Sequence, residues 1–294
     1  MSKAAVYFIH ALSPLHPGVG QGVGSIDLPV AREKATGIPY LPGSSFKGVM
    51  RDAARNAGDP EAKIAAIFGP ETGNAADHAG AAYFGDAKLL LLPVRSYAGI
   101  FAYATSPYLL RRFKREVEMT GSSLPELPSN PQKEEALVNR DSDVAENGKV
   151  YLEDLDFTAQ MSDAVAEWEA WLLKQTQSLD LPLKNRLLFL HDDVMSFLLE
   201  TALEVVTRIR IDEEKKTVAR GALWFEENIP AESVLYGLVS AAPKSFGKAS
   251  ENPLTDQEIL AQLEKLSRQT LQFGGNATVG RGLSRVTFAA PEEA

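Results

Sequence analysis

Cysteine is missing altogether from the 294 residues. Neither disulfides nor thiolate zinc sites can therefore hold the chain together, and a reducing cytoplasm is its natural setting. Histidine is scarce, and the four present are scattered without metal-ligand spacing, so no structural metal is expected. No run is long and apolar enough to span a membrane, and the opening MSKAAVYFIHALSP reads as a first strand rather than a signal peptide. Positive charge is also in deficit. Lys and Arg number 30 against 39 Asp and Glu, giving a formal net charge of −9 and a pI near 5.1. That balance excludes a protein whose whole surface grips nucleic acid.

What is present suits one large core or two small ones, with 45% hydrophobic and 23% charged residues. The charge is uneven. Residues 1–55 hold Lys3, Arg32, Lys34, Lys47, Arg51 and Arg55 against Asp27, Glu33 and Asp52, and a second basic cluster comprises Arg111, Arg112, Lys114 and Arg115. An acidic body carrying a basic groove can still bind phosphates.

The patterning is α+β. Residues 4–12 alternate as a strand. A helix is expected over Ser44–Asn56, capped by Ser44 or Ser45, with Phe46, Val49, Met50 and Ala53 inward. Asp59-Pro60 opens a short helix to Phe68, with Asp59 as its cap. Leu89–Val94 and Ile100–Ala104 read as central strands, and Ser106-Pro107 opens a helix that stops near Gly121. The proline-bearing, charged run 122–148 is expected to be a loop or insertion outside the core. Residues 163–176 and about 183–203 read as helices. Thr207–Ile211 and Thr217–Phe225 form a hairpin around Asp212–Lys216, too polar at its tip for a core. Val234–Ala241 is a strand, Thr255-Asp256-Gln257-Glu258 a capping box, and Leu283–Ala289 the last strand. No second domain is evident. Strands and helices interleaved in this way suit a ferredoxin-like, RNA-recognition-type core with insertions in one domain spanning 1–294.

Most of the chemistry lies between Ser13 and Arg55. Gly18, Gly20, Gly22 and Gly24 recur at every second position, which leaves backbone N–H groups open to a ligand, or simply makes a surface loop. On the helix that follows, Lys47, Arg51 and Arg55 share one face at i, i+4 and i+8, as a phosphate-binding ridge or as an ordinary solvated face. Two familiar phosphate motifs fail here. A dinucleotide fingerprint needs glycine where Val23 or Ser25 stands, and a P-loop needs Gly-Lys-Ser/Thr where the chain has Phe46-Lys47-Gly48. In the C-terminal run FGGNATVGRG, Arg281 stands between Gly280 and Gly282, where it can reach a phosphate unobstructed or serve only chain geometry. Asp27 reads either as a turn former before Leu28-Pro29 or as a catalyst.

Four stretches together carry a resemblance. They are H-P-G-x-G-x-G-x-G-x-I-D-L-P from His16, R-E-x-x-T-G-x-P-x-x-P-G-S-S-x-K-G from Arg32, TRIRIDEEKKTVARGALWFEENIP from Thr207, and FGGNATVGRG from Phe273. In this order they resemble the RAMP superfamily of CRISPR proteins, and within it the backbone subunit of the type III-B (Cmr) RNA-guided complex. The resemblance implies the same fold and a place in antiviral defence. It implies that Ser44, Ser45, Lys47, Arg51 and Arg55, with Gly274, Gly275, Asn276 and Arg281, hold a guide CRISPR RNA backbone. It further implies that the hairpin, about 205–230 with Arg208, Arg210, Lys215 and Lys216, is a thumb that pushes between guide and target and flips out nucleotides. Copies would stack along the guide as a filament beside other Cmr subunits.

The resemblance also aligns Asp27 with the aspartate to which cleavage of single-stranded target RNA is assigned. A splayed nucleotide can line its ribose 2′-OH up with the adjacent phosphate, and Asp27 would take that proton or hold Mg2+ or Mn2+. The products would be a 2′,3′-cyclic phosphate and a 5′-hydroxyl, with His16 as a general acid. Two other readings stand beside this one. One is a purely structural guide-binding subunit; the other is a single-chain RAMP endoribonuclease that processes precursor guide RNA.

Overall fold

The computed structural model describes residues 3–20, 22, 26–71, 79–212, 214–243 and 253–289. Gly24 and Ser25 of the glycine loop, and Glu213 at the hairpin tip, lie outside the described residues. The architecture is mixed α/β. Its elements are β1 (Lys3–Ala11), β2 (Tyr40–Leu41), α1 (Gly43–Asn56), α2 (Glu61–Phe68), β3 (Ala82–Phe84), β4 (Ala87–Arg95), β5 (Phe101–Thr105), α3 (Pro107–Val117), β6 (Glu135–Val138), β7 (Lys149–Leu152) and β8 (Leu155–Met161). They continue as α4 (Asp163–Gln175), β9 (Leu187–Leu190), α5 (Asp192–Thr201), β10 (Glu204–Ile211), β11 (Val218–Asn228), β12 (Val234–Ala241), α6 (Asp256–Ser267), β13 (Leu271–Gln272) and β14 (Leu283–Phe288).

Twelve strands form one sheet in the order β13-β14-β1-β12-β4-β5-β9-β6-β8-β7, with β2 beside β4 and β3 beside β12. Pairing is parallel at β5–β9 and β6–β8 and antiparallel elsewhere. The strand β1 shows why the sheet is buried on both sides. Tyr7 and Ile9 enter one apolar cluster with Phe46 and Met50 of α1 and Ile259 and Leu263 of α6. Val6 and Phe8 point the other way, to Phe113 of α3 and Trp168 of α4, as the two-residue period of a strand requires. Tyr7 and Phe46 stack at 4.2 Å, and Phe46 stacks in turn on Phe273 at 5.7 Å, so α1 is pinned between β1 and the segment leading to the C-terminal glycines.

Several elements fall where the patterning puts them. Val234–Ala241 is a strand, and the capping box at Thr255 and Glu258 is formed. The Ser106 hydroxyl accepts from the Leu109 N–H at the start of α3. Four expectations need correction. Neither Ser44 nor Ser45 caps α1, which begins at Gly43 after Pro42, and the Gly43 N–H instead donates to Asp86 Oδ1 at 2.7 Å, a cap supplied across the fold. Pro60, not Asp59, occupies the cap position of α2, because the Asp59 carboxylate is taken by Lys63 and Gln262. The helix expected over 183–203 is a strand and then a helix. Leu187–Leu190 is buried throughout as β9, and the helical period starts only after His191, whose Nδ1 accepts from the Asp193 N–H. Lastly, 122–148 contributes β6 to the sheet, with Ala136 and Val138 fully buried.

The hairpin β10–β11 stands apart as its own two-stranded sheet, longer than its pattern suggested. It meets the body at its root, through the bridges Leu15–Ile229 and Leu28–Glu226. Among the described residues, no helix is long and apolar enough to cross a membrane.

Candidate functional site

The hairpin root is where the sequence motifs meet. Two neighbouring carboxylates on β11, Glu226 and Glu227, are 1% and 3% exposed. Successive strand residues face opposite ways, so each serves a different neighbour. Glu227 faces the loop that follows the glycines: its Oε2 accepts the Val30 N–H at 3.0 Å and its Oε1 accepts Arg32 Nη2 at 2.7 Å. Arg32 also donates to the carbonyls of Gly37 and Leu199, which ties the loop to α5. Main-chain bonds complete the seam, from the Leu28 N–H to the Phe225 carbonyl and from the Glu227 N–H to the Leu28 carbonyl.

Asp27 sits at the edge of this seam and is exposed. Its Oδ2 accepts the Phe225 N–H at 2.8 Å, while its own carbonyl accepts the Gly22 N–H. One carboxylate oxygen is thus fixed by the hairpin root, and the other has no partner among the described residues. That bond reaches 198 positions along the chain, so among the described residues the carboxylate ties the loop to the hairpin and does not close a turn of its own.

Glu226 faces the C-terminal glycine turn. Its Oε2 accepts Asn276 Nδ2 at 2.9 Å and Arg208 Nε at 3.3 Å, and its Oε1 accepts Arg281 Nε at 3.1 Å. Burial pushes the Glu226 carboxyl up. The Arg281 hydrogen bond and the charges of Arg208 and Arg281 outweigh burial and hold it below the ordinary carboxylate range. The turn itself is clamped on the loop. The Gly275 N–H donates to the His16 carbonyl and the Gly282 N–H to the Pro14 carbonyl. Gly274 has φ +73°, and a Cβ there would lie 2.4 Å from the His16 oxygen.

These contacts correct several sequence expectations. His16 is 6% exposed and its Nδ1 donates to the Glu227 carbonyl at 2.7 Å, which fixes its ring against the end of β11. Arg281 does not reach out unobstructed, because Glu226 and Glu204 hold it. The cationic ridge on α1 is largely occupied too. Arg51 Nη2 donates to the carbonyls of Phe68 and Gly69 at the end of α2, and Arg55 pairs with Glu71 and Glu61. Lys47 alone of the three has neither an ion pair nor a side-chain hydrogen bond among the described residues, and burial, helped by the Arg51 charge, holds its pKa below the usual amine range. In the second basic cluster, Arg112 makes two 2.7 Å bonds to Glu33. Arg210, Lys215 and Lys216 are exposed on the hairpin, the last at φ +54°. The pattern did not single out Glu226, Glu227 or Arg32; two adjacent acids closing the apolar strand LWFEEN were the available signal.

Among the described residues, no group of three or more His, Asp or Glu side chains could hold a metal ion. The Asp27 oxygen left unpartnered among the described residues fits a divalent cation only as one ligand among several.

The model of the RAMP superfamily matches residues 8–285. The chain belongs to the RAMP superfamily. A relative from Pyrococcus furiosus, the CRISPR system Cmr endoribonuclease Cmr4, is 37% identical over 296 residues, covering 97% of this chain and 96% of that protein. The CRISPR system CMR subunit Cmr4 of Saccharolobus solfataricus is 25% identical, covering 94% of each. The crystal structure of oligomeric Cmr4 from Pyrococcus furiosus superposes with a TM-score of 0.76 at 30% identity, over 99% of this chain and 100% of that one. In this RAMP chain the loop after His16, the end of β11 and the glycine turn, far apart in sequence, form one bonded unit around Asp27.

Proposed function

We propose that this chain is a backbone subunit of a type III-B CRISPR RNA-guided complex, in which copies stack along a guide RNA in the cytoplasm and cleave complementary target RNA at regular intervals. The reading rests on Asp27, an exposed carboxylate with one oxygen fixed at the root of a projecting hairpin and the other without a partner among the described residues. The likeness to proteins named Cmr4, one of them an endoribonuclease and one solved as an oligomer, supports it. The antiparallel order β14-β1-β12-β4, with α1 after β1 and α6 after β12, supports a ferredoxin-like core within a single domain. The hairpin β10–β11 serves as the thumb. Its alternation puts exposed Val205, Ile209, Leu223 and Phe225 on one side and Arg208, Arg210 and Trp224 on the other.

In this reading Asp27 is the catalytic residue. With a target nucleotide splayed by the thumb, the Asp27 carboxylate accepts the ribose 2′-OH proton as the 2′ oxygen attacks the adjacent phosphorus; the P–O5′ bond breaks and the departing 5′ oxygen takes a proton from water, leaving a 2′,3′-cyclic phosphate and a 5′-hydroxyl. Mg2+ or Mn2+, held by Asp27 together with RNA phosphate oxygens, would supply neutralising charge at the phosphate. Lys47 contacts the guide backbone, aided by the exposed Ser44 hydroxyl near the positive end of α1.

The test compares Asp27→Ala and Asp27→Asn in complexes assembled with guide RNA. Asn keeps an acceptor for the Phe225 N–H and loses the charge, so both variants are expected to assemble, bind guide and fail to cut. Equal cutting by wild type and both variants would make the subunit purely structural. Cleavage of repeat RNA by the isolated chain would point instead to precursor processing.

A further inference from the structure

Asn276 and Arg281, expected to hold guide RNA, and Arg208, expected on the thumb, converge on one carboxylate that is 1% exposed. An anion buried this deeply is retained at a desolvation cost, and its three donors come from two separate pieces of chain, β10 and the C-terminal turn. The strand that carries it holds Asp27 through the preceding residue, Phe225, and holds the loop 28–32 through the following one, Glu227. Any shift of β11 against the glycine turn therefore moves Asp27 by the same amount. We propose that Glu226 is a positioning residue: by locking β11 to Arg281 and Asn276 it sets where the Asp27 carboxylate stands relative to the bound RNA strand. The proposal rests on the reading of Asp27 as the cleaving residue.

The geometry separates this role from packing. Glu226 is shut off from solvent and both its oxygens are taken by Arg208, Asn276 and Arg281, so it takes no proton from substrate and contacts no phosphate. It acts through Phe225, whose N–H bond to Asp27 is 2.8 Å long. Replacing the charge with a neutral amide keeps the volume and one acceptor, but weakens the hold on both guanidinium groups. A displacement on the order of 1 Å at a reacting group costs about 100-fold in rate.

The experiment uses the full complex with guide RNA and compares wild type, Glu226→Gln, Asn276→Ala and Asp27→Asn. Single-turnover cleavage at saturating target is measured beside target affinity. Glu226→Gln is expected to cut about 10- to 100-fold more slowly, with its target Kd within twofold of wild type. Asn276→Ala, which removes one of the three donors, should slow cutting by a smaller factor in the same direction. A residue that only packs would lower assembly yield and leave the rate of the assembled complexes unchanged. Wild-type rates in both Glu226→Gln and Asn276→Ala, or losses of rate matched by equal losses of target affinity, would overturn the proposal. Should Glu226→Gln not assemble, Asn276→Ala decides by the same two measurements. If Asp27→Asn itself cuts normally, the underlying reading of Asp27 fails whatever Glu226 does. If Asp27→Asn is inactive while the other two are normal, only the positioning role falls.

Discussion

Two glycines of the C-terminal turn share a left-handed backbone and differ in what surrounds them. Gly274 has φ +73° and Gly280 φ +82°, so alanine at either position meets the same local penalty, roughly 1–2 kcal/mol. At Gly280 a Cβ would have nothing within 4 Å. At Gly274 it would stand 2.4 Å from the His16 carbonyl oxygen and 2.8 Å from the carbonyl carbon, both backbone atoms that cannot rotate away. The turn must then lift off the loop by nearly an ångström, which weakens the bond from the Gly275 N–H to the same carbonyl, itself worth about 1 kcal/mol. Gly274→Ala is therefore expected to cost about 2 kcal/mol more than Gly280→Ala, a further fall in melting temperature of roughly 3 °C for a chain of 294 residues. Urea and thermal unfolding followed by tryptophan fluorescence would measure the difference. Target cleavage in the complex should fall for Gly274→Ala and hold for Gly280→Ala. Equal destabilisation by the two substitutions would refute the idea that the turn is clamped on the loop.

Phe46→Ala should cost about 4 kcal/mol in urea unfolding, since a fully buried ring that stacks on Tyr7 and Phe273 leaves a cavity behind. Lys47→Gln should weaken guide RNA binding and reduce the slope of log affinity against log salt by about 0.7, whereas Arg51→Gln, whose guanidinium caps α2, should lower stability and leave that slope alone. The Glu33 carboxyl is held below the ordinary range by its Arg112 hydrogen bonds, Glu226 by Arg281 and Arg208 against the effect of burial, and Glu232 by His10. Their contribution to stability is complete above the usual carboxylate pKa, about 4.3, and is lost as pH falls through the lower folded values. Urea midpoints from pH 7 to pH 3 should show that loss, and Arg112→Gln should flatten the Glu33 share.

Elements with strong local signals were legible in the sequence. The capping box at Thr255 is set by residues three apart, and Val234–Ala241 is an apolar run that follows Pro230 and stops before Pro243, so neither needs distant information. The run Leu187–Leu190 was misread because four consecutive apolar residues carry no period, and only pairing with β5 and β6 makes them a strand. The motifs located the site but not its wiring. Lys47, Arg51 and Arg55 look alike on a helical wheel, yet the end of α2 takes Arg51 and the carboxylates of Glu61 and Glu71 take Arg55. In the same way Arg281 reads as free between two glycines until Glu226, 55 positions earlier, is brought beside it. A cation's partner is chosen by tertiary neighbours, and periodicity is silent about them.

The projecting ribbon has a bearing on how the protein must be handled before it meets its partners. A lone pair of strands is marginal in water, and this one leaves Val205, Ile209, Ile211, Val218 and Leu223 each about half bare. Beyond its root it has no third strand and no covering helix among the described residues, so in the free subunit its outer half is a greasy, weakly held arm attached to an otherwise acidic body. A newly made copy therefore gains by finding company early, and one kept alone at high concentration has a ready place from which to clump.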